Sequence, residues 1–193
     1  MARVGLSQSF YAKYNVSTQD GSISYSNGGT LGKAVECEIE LEDTDPTIFY
    51  ANNGPAESAA AFSGGTLTIT NDSLPIDKAA DILGLTTATV TSPAGTALVF
   101  PADITPPYLG YGTVAKMIVS NTPVWRAIFL HKIQFQMPVD TFATQEDSLE
   151  FEGHELVATI LRDDASTPAW RTIADFSTEA NAVTWLKAQL SIS

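Results

Sequence analysis

One cysteine and two histidines are all that 193 residues offer in soft or imidazole ligands. A lone thiol, Cys37, excludes any intrachain disulfide, and no Cys cluster remains to hold zinc. Positive charge is scarce too: ten Lys plus Arg face 22 Asp plus Glu, a formal net charge of −12. A field of that sign repels phosphate backbones and anionic lipid surfaces, so tight nucleic-acid binding is disfavoured. No apolar run approaches the roughly 18 residues of a membrane span. The opening Met1-Ala2-Arg3-Val4-Gly5-Leu6-Ser7-Gln8 lacks the apolar core of a signal peptide. Together these absences predict a chain made and kept in a cytoplasm, without a membrane partner.

What is present is apolar residue in quantity: 44% hydrophobic against 17% charged, which places the chain in the globular class and not among disordered sequences. The length suits one domain over residues 1–193.

Alternation dominates the first third. From Ala34 to Glu42, Val35, Cys37, Ile39 and Leu41 point one way, and Glu36, Glu38, Glu40 and Glu42 the other, which predicts a strand with one wet face. Further strands are predicted around Phe10–Val16 and after Gly64-Gly65, where Thr66, Thr68 and Thr70 alternate with Leu67 and Ile69. Gly28-Gly29 and Gly64-Gly65 read as turns or bulges. The stretch from Asp43 to Ser63 is rich in Asp, Asn, Pro, Ala and Ser, with Phe49, Tyr50 and Phe62 embedded. A loop this long in a compact domain is functional, or else conceals a hairpin.

Pro75 to Leu83 predicts a short helix, with Pro75 and Asp77 suited to its first turn and Gly84 just past its end. Thr86 to Pro107 reads as a weak hairpin or loop. Strands follow over Gly112–Ser120 and Val124–Met137, with Asn121-Thr122-Pro123 as the turn. In the longer one, Trp125, Ala127, Phe129, His131, Ile133, Phe135 and Met137 share a face, and the opposite face is apolar around Ile128 and Leu130, implying a covering partner. Leu149–Leu161 and Trp170–Phe176 read as strands, and about 178–190 as a helix with Val183, Leu186 and Leu190 on one stripe. The fold expected is mainly β: an antiparallel sandwich or barrel of roughly seven to nine strands with one or two flanking helices.

Motifs for chemistry fail at named positions. Asn27-Gly28-Gly29-Thr30-Leu31-Gly32-Lys33-Ala34 has Asn27 where a phosphate loop needs glycine and Ala34 where it needs Ser or Thr. His154-Glu155 opens like a zinc-protease motif, but Ala158 occupies the second histidine position in a predicted strand. Pro46 breaks any EF-hand at Asp43-Thr44-Asp45, and no Gly-x-Ser-x-Gly elbow occurs. His131, on an apolar strand face, reads as a hydrogen-bonded core or interface histidine. No catalytic, cofactor-binding or metal residue is expected, and the chain is not expected to be an enzyme.

An ordered set of segments resembles the major tail proteins of long-tailed phages, especially those infecting Gram-positive hosts. It comprises Glu40-Leu41-Glu42, Ile48-Phe49-Tyr50-Ala51-Asn52-Asn53-Gly54, Phe62-Ser63-Gly64-Gly65-Thr66-Leu67-Thr68-Ile69 and Ala80-Asp81-Ile82-Leu83-Gly84-Leu85. Pro107-Tyr108-Leu109-Gly110-Tyr111-Gly112, the Trp125 strand and Thr144-Gln145-Glu146-Asp147-Ser148-Leu149-Glu150-Phe151 continue it, so that it spans roughly Val35 to Phe176 and departs over Thr86–Ala102 and in the C-terminal helix.

The resemblance implies a tail-tube fold, with six copies in a ring and rings stacked into a tube that passes DNA without gripping it. The chain itself, a tape-measure protein and tail-end proteins are the partners it implies. The place is the virion tail, reached from the host cytoplasm during assembly. Glu36, Glu38, Glu40 and Glu42 are the expected lumen residues, since carboxylates repel phosphates. The loop at about 43–63 is the expected inter-ring contact, with Phe49, Tyr50 and Phe62 as anchors. The alternative is a virion-associated carbohydrate- or receptor-binding β-sandwich using Tyr108 and Tyr111.

Overall fold

The computed structural model describes the backbone of residues 2–42, 47–51, 54–59, 62–138 and 153–192, and the side chains of 4–42, 62–138 and 153–192. The strands are β1 (Ala2–Val16), β2 (Ile23–Leu41), β3 (Thr47–Ala51), β4 (Gly54–Ala59), β5 (Gly65–Asn71), β6 (Thr86–Thr91), β7 (Ala94–Val99), β8 (Tyr108–Val119), β9 (Thr122–Phe135), β10 (His154–Leu161) and β11 (Arg171–Phe176). The helices are α1 (Ile76–Leu83) and α2 (Glu179–Gln189). The main sheet runs β10-β5-β2-β1-β8-β9-β11, and a second pairing of β10 with β9 closes its first six strands into an antiparallel barrel. Closure pairs the edges of β10 and β9 that an open sheet would leave exposed there. Strand β11 lies outside the closure, on the stretch of β9 that β10 leaves free. The fold is therefore mainly β with flanking helices, as the alternation predicts.

Long strands serve two partners each. The first half of β2 pairs with β1 and its second half, Ala34–Leu41, with β5. Of the turn or bulge expected at Gly28-Gly29, the structure has a bulge inside β2: the register slips between Tyr11 and Lys13, and Asn27 takes φ +50°. A side chain at Gly28 would meet Ile192 at 2.6 Å, so glycine lets the end of the chain lie on the sheet.

Two cores result. One fills the barrel, with Tyr11, Leu67, Leu130, Ile133 and Phe135 packed against Ile82 of α1. The other lies outside the sheet, where α2 sets Ala182, Leu186 and Leu190 on Phe10, Ala127 and Phe129. Each such large side chain contributes roughly 1.5–3 kcal/mol on burial.

Strand β9 corrects the sequence expectation of one continuous face. Phe129 belongs to the outer core, yet Ile133 and Phe135 belong to the barrel interior with Leu130. The cause is a bulge: two residues of β8, from Leu109 to Tyr111, span three of β9, from Ile133 to Leu130. Because side chains alternate with period two, one extra residue exchanges the faces. Leu130 is covered by the chain's own barrel and needs no partner.

The β8–β9 turn is also tighter than expected. Ser120 and Asn121 both adopt positive φ, +48° and +63°, as in a two-residue hairpin, and Pro123 falls inside β9 opposite Ile118. Helix α1 ends where expected: Gly84 is left-handed at φ +69°, and the next N–H, of Leu85, reaches the Ala80 carbonyl at 2.9 Å. At the start of α2, the Thr178 hydroxyl accepts from the Asn181 N–H. Glu179, in its first turn, accepts from the Ser7 hydroxyl and ties the helix to β1.

The long loop contains a hairpin, β3 with β4, whose strands pair only with each other among the described residues. The stretch read as a weak hairpin or loop is a second one, β6 with β7, with most of its residues exposed. These two ribbons raise the described strands to 11, above the seven to nine expected. The described part of the Leu149–Leu161 strand is β10; residues 149–152 lie outside the described residues.

Candidate functional site

The second half of β2 presents Glu36, Glu38, Glu40 and Glu42 side by side, all exposed, as the alternation predicts. Three of them face uncharged partners across the ladder: Glu36 pairs with Thr70, Glu38 with Thr68 and Glu40 with Thr66. None forms an ion pair among the described residues. Side chains two apart on a strand sit about 6.6 Å apart, where unit charges in water repel by only ~0.6 kcal/mol before salt screening. A wet surface tolerates such a row; burial would not.

Glu42 ends the row, and its N–H donates to the Gly64 carbonyl at 3.1 Å, so the exit of the long loop is stitched to the acidic strand. Just before that exit, Phe62 stacks on Trp170 with ring centroids 4.8 Å apart and planes within 3°. Part of this expected inter-ring anchor is thus already covered within its own subunit. Phe49 and Tyr50 lie on β3, and their side chains fall outside the described residues.

Behind the row the strand is unfinished. Its second half pairs with β5 on one edge, while the pairing with β1 stops at Lys33, opposite Gln8. Among the described residues the start of β1 pairs with β8 alone. Between the separating strands opens a cleft of about 330 Å³, lined by Leu6, Val35, Ile39, Thr113, Ile128 and Arg171 among others. Val35 is 64% exposed there, and Leu41 near the end of the strand 48%. Four apolar positions opposite four acids are what the sequence predicts; their incomplete cover is a finding of the structure.

Deep beside the cleft, the Ser9 and Tyr111 hydroxyls lie 2.9 Å apart, and the Tyr111 hydroxyl donates to Cys37 Sγ. Burial, followed by the nearby Cys37, pushes the Tyr111 phenol well above its usual range. Because Tyr111 is fully buried, it cannot join the exposed Tyr108 in a sugar-binding surface. Tyr108 itself lies under the Lys132 ammonium, 4.5 Å from its ring centroid.

The β9 bulge turns His131 and Lys132 toward the loop after β10. His131 Nδ1 lies 2.8 Å from Asp163 Oδ2, and its Nε2 lies 2.8 Å from Thr172 Oγ1. The other Asp163 oxygen accepts the N–H groups of Ala165 and Ala169, and the His131 carbonyl accepts the Tyr25 hydroxyl. Lys132 pairs with Asp164 at 2.7 Å, which also accepts from the Tyr14 hydroxyl at 2.8 Å. These charged and hydrogen-bonded partners hold the Asp164 carboxyl below its usual range. Burial pushes the Tyr14 phenol up to about 12.

A hydroxyl, an imidazole and a carboxylate in line can activate the hydroxyl, the imidazole taking its proton while the carboxylate orients the ring. Here neither the cleft nor a second cavity, of about 390 Å³ by Phe62, Lys132 and Asp164, is lined by His131 or Thr172. The arrangement acts as a clamp on residues 162–170, and His131 is the hydrogen-bonded histidine expected from its strand. Asp163 and Thr172 escaped the sequence reasoning because no spacing links them to His131, and Arg171 because the cleft it lines is assembled from separate strands. Among the described residues, no group of three or more His, Cys, Asp and Glu could hold a metal ion. No helix among them is long and apolar enough to cross a membrane. Neither protein-family models nor curated proteins give a match to the chain.

Proposed function

We propose that the chain is a structural subunit of a bacteriophage tail tube, copies of which join laterally into rings, six to a ring, that stack around a DNA passage. The observation that carries this proposal is the second half of β2: an unbroken row of exposed carboxylates on one face, and apolar side chains left half-covered beside an unpaired strand edge on the other. The resemblance to phage major tail proteins supplies the identity of the assembly, and the mainly β barrel with flanking helices is compatible with it.

A surface built this way suits a particle made of many copies. Heterologous contacts that close give rings, and apolar edges are covered only when a neighbour arrives. The acidic row would then face the passage, where carboxylates keep phosphates from adhering. The β3–β4 hairpin, which no other strand among the described residues supports, would be completed by the next ring, since an isolated two-stranded ribbon is marginal in water.

Negative-stain microscopy and sedimentation velocity of the purified chain test the proposal. Rings or tubes of uniform width are expected; monomers at all concentrations and salt conditions would overturn it.

A further inference from the structure

The cleft between β1 and β2 holds two polar groups that the fold leaves unanswered. Thr113 is fully buried, and its hydroxyl, though it lies near the Tyr111 phenol, makes no hydrogen bond of acceptable geometry among the described residues. The Tyr111 hydroxyl on the same strand is already engaged with Ser9 and Cys37. A buried hydroxyl without a partner costs roughly 1–3 kcal/mol, so such a group calls for an explanation, a bound water, ion or ligand among them.

Arg171 is the second. Its guanidinium stacks over Trp170 at 4.3 Å and meets no carboxylate among the described residues, in a chain with more than twice as many acids as bases. Although much of the side chain is exposed, the nearby walls remove enough water to lower its pKa from the usual arginine value. An arginine left in that condition accepts a carboxylate in a two-pronged, charge-assisted bond.

The remaining walls are apolar: Leu6, Val35, Ile39 and Ile128, with Ala115 on the floor. A volume of about 330 Å³ lies at the small end of ligand sites. The net charge of −12 disfavours polyanions such as phosphate groups. One negative charge with an apolar tail is the chemistry that matches the whole lining.

We propose that this cleft is a binding site for a free medium-chain carboxylate, its head on Arg171 and the Thr113 hydroxyl and its tail along Leu6, Val35, Ile39 and Ile128. The site is separate from the acidic row, which occupies the opposite face of the same strand, but it shares Val35 and Ile39 with the apolar face that a neighbouring copy would cover, so it is open in the unassembled chain.

Decanoate titrated into the unassembled full chain by calorimetry tests it, with Trp170 fluorescence as a second signal because that ring carries Arg171. Saturable binding is expected, with decanol at least about tenfold weaker for want of the charge. Arg171→Gln should weaken decanoate by a similar factor and leave decanol unchanged, and Thr113→Val should weaken decanoate several-fold. Ala115→Phe, which fills the floor, should abolish binding of both; circular dichroism confirms that each variant is folded. Absence of saturation at millimolar decanoate, equal affinity for decanoate and decanol, or an Arg171→Gln variant that binds decanoate as tightly as the parent would each overturn the proposal.

Discussion

His131 and Asp163, 32 residues apart in the chain, meet at 2.8 Å, and that contact decides where the loop between β10 and β11 lies. The carboxylate satisfies the imidazole with one oxygen and two backbone N–H groups with the other. Asp163→Ala should therefore cost about 3 kcal/mol, because it leaves the imidazole and two backbone N–H groups, all half-buried, without their partner. Thr172→Val should cost only about 1 kcal/mol, since a single hydrogen bond is lost. Urea denaturation of both variants gives the comparison; equal losses would mean that Asp163 does not organise the loop.

Tyrosines set the alkaline limit. Tyr11, Tyr14, Tyr25 and Tyr111 all have phenols raised above 10, burial being the first cause in each case, and Tyr14 lies at about 12. A group whose folded pKa exceeds its unfolded value contributes full stability below the unfolded value and loses it as pH rises toward the folded one. Stability should thus hold up to about pH 10 and fall between there and pH 12. Phenolate absorbance of these residues should appear together with loss of near-ultraviolet circular dichroism. Ionisation of all tyrosines at their ordinary pKa in a still-folded protein would contradict this.

Neutralising the acidic row separates folding from assembly. Glu36→Gln, Glu38→Gln, Glu40→Gln and Glu42→Gln combined touch only exposed side chains, so the subunit should unfold within about 0.5 kcal/mol of the parent, or slightly later as repulsion is relieved. If the row faces the passage, particles of the variant should retain double-stranded DNA that parent particles release, most clearly at low salt. A density map of the particle that places these residues on the outer wall would end the lumen assignment.

Replacing residues 47–59 by a short Gly-Ser link should leave the barrel intact, because β3 and β4 pair with nothing else in the described chain. Circular dichroism and the denaturation midpoint should match the parent, while rings no longer stack. Normal tubes from this variant would show that stacking runs through another surface.

Legibility in the sequence followed the physics of each element. The second half of β2 was readable because one face is wet throughout, so the period of two runs unbroken from Val35 to Glu42. Helix α1 was readable from Gly84, whose left-handed turn few other residues adopt at no cost. Strand β9 was readable as a strand but not in its facing, since a bulge leaves no local mark in the strand; the shift falls opposite Gly110 of β8, where an added side chain would strike Tyr25 at 2.5 Å. The β3–β4 ribbon hid in a stretch rich in Asp, Asn and Pro because backbone pairing needs no apolar pattern. The acidic row was legible at once. The cleft behind it was not, because its walls come from β1, β2, β8, β9 and β11, brought together only by closure of the barrel.

Barrel closure also orders events during synthesis. Strand β10 alone joins β5 to β9, and it begins at His154, long after β5 ends at Asn71. Until Leu161 has left the ribosome, the outer edge of β5 and the far end of β9 stand open, each a template for pairing with another nascent chain. At about 5–20 residues per second that interval lasts roughly 5–20 seconds. For these two edges the hazard of premature pairing is confined to that window, and one eight-residue strand ends it.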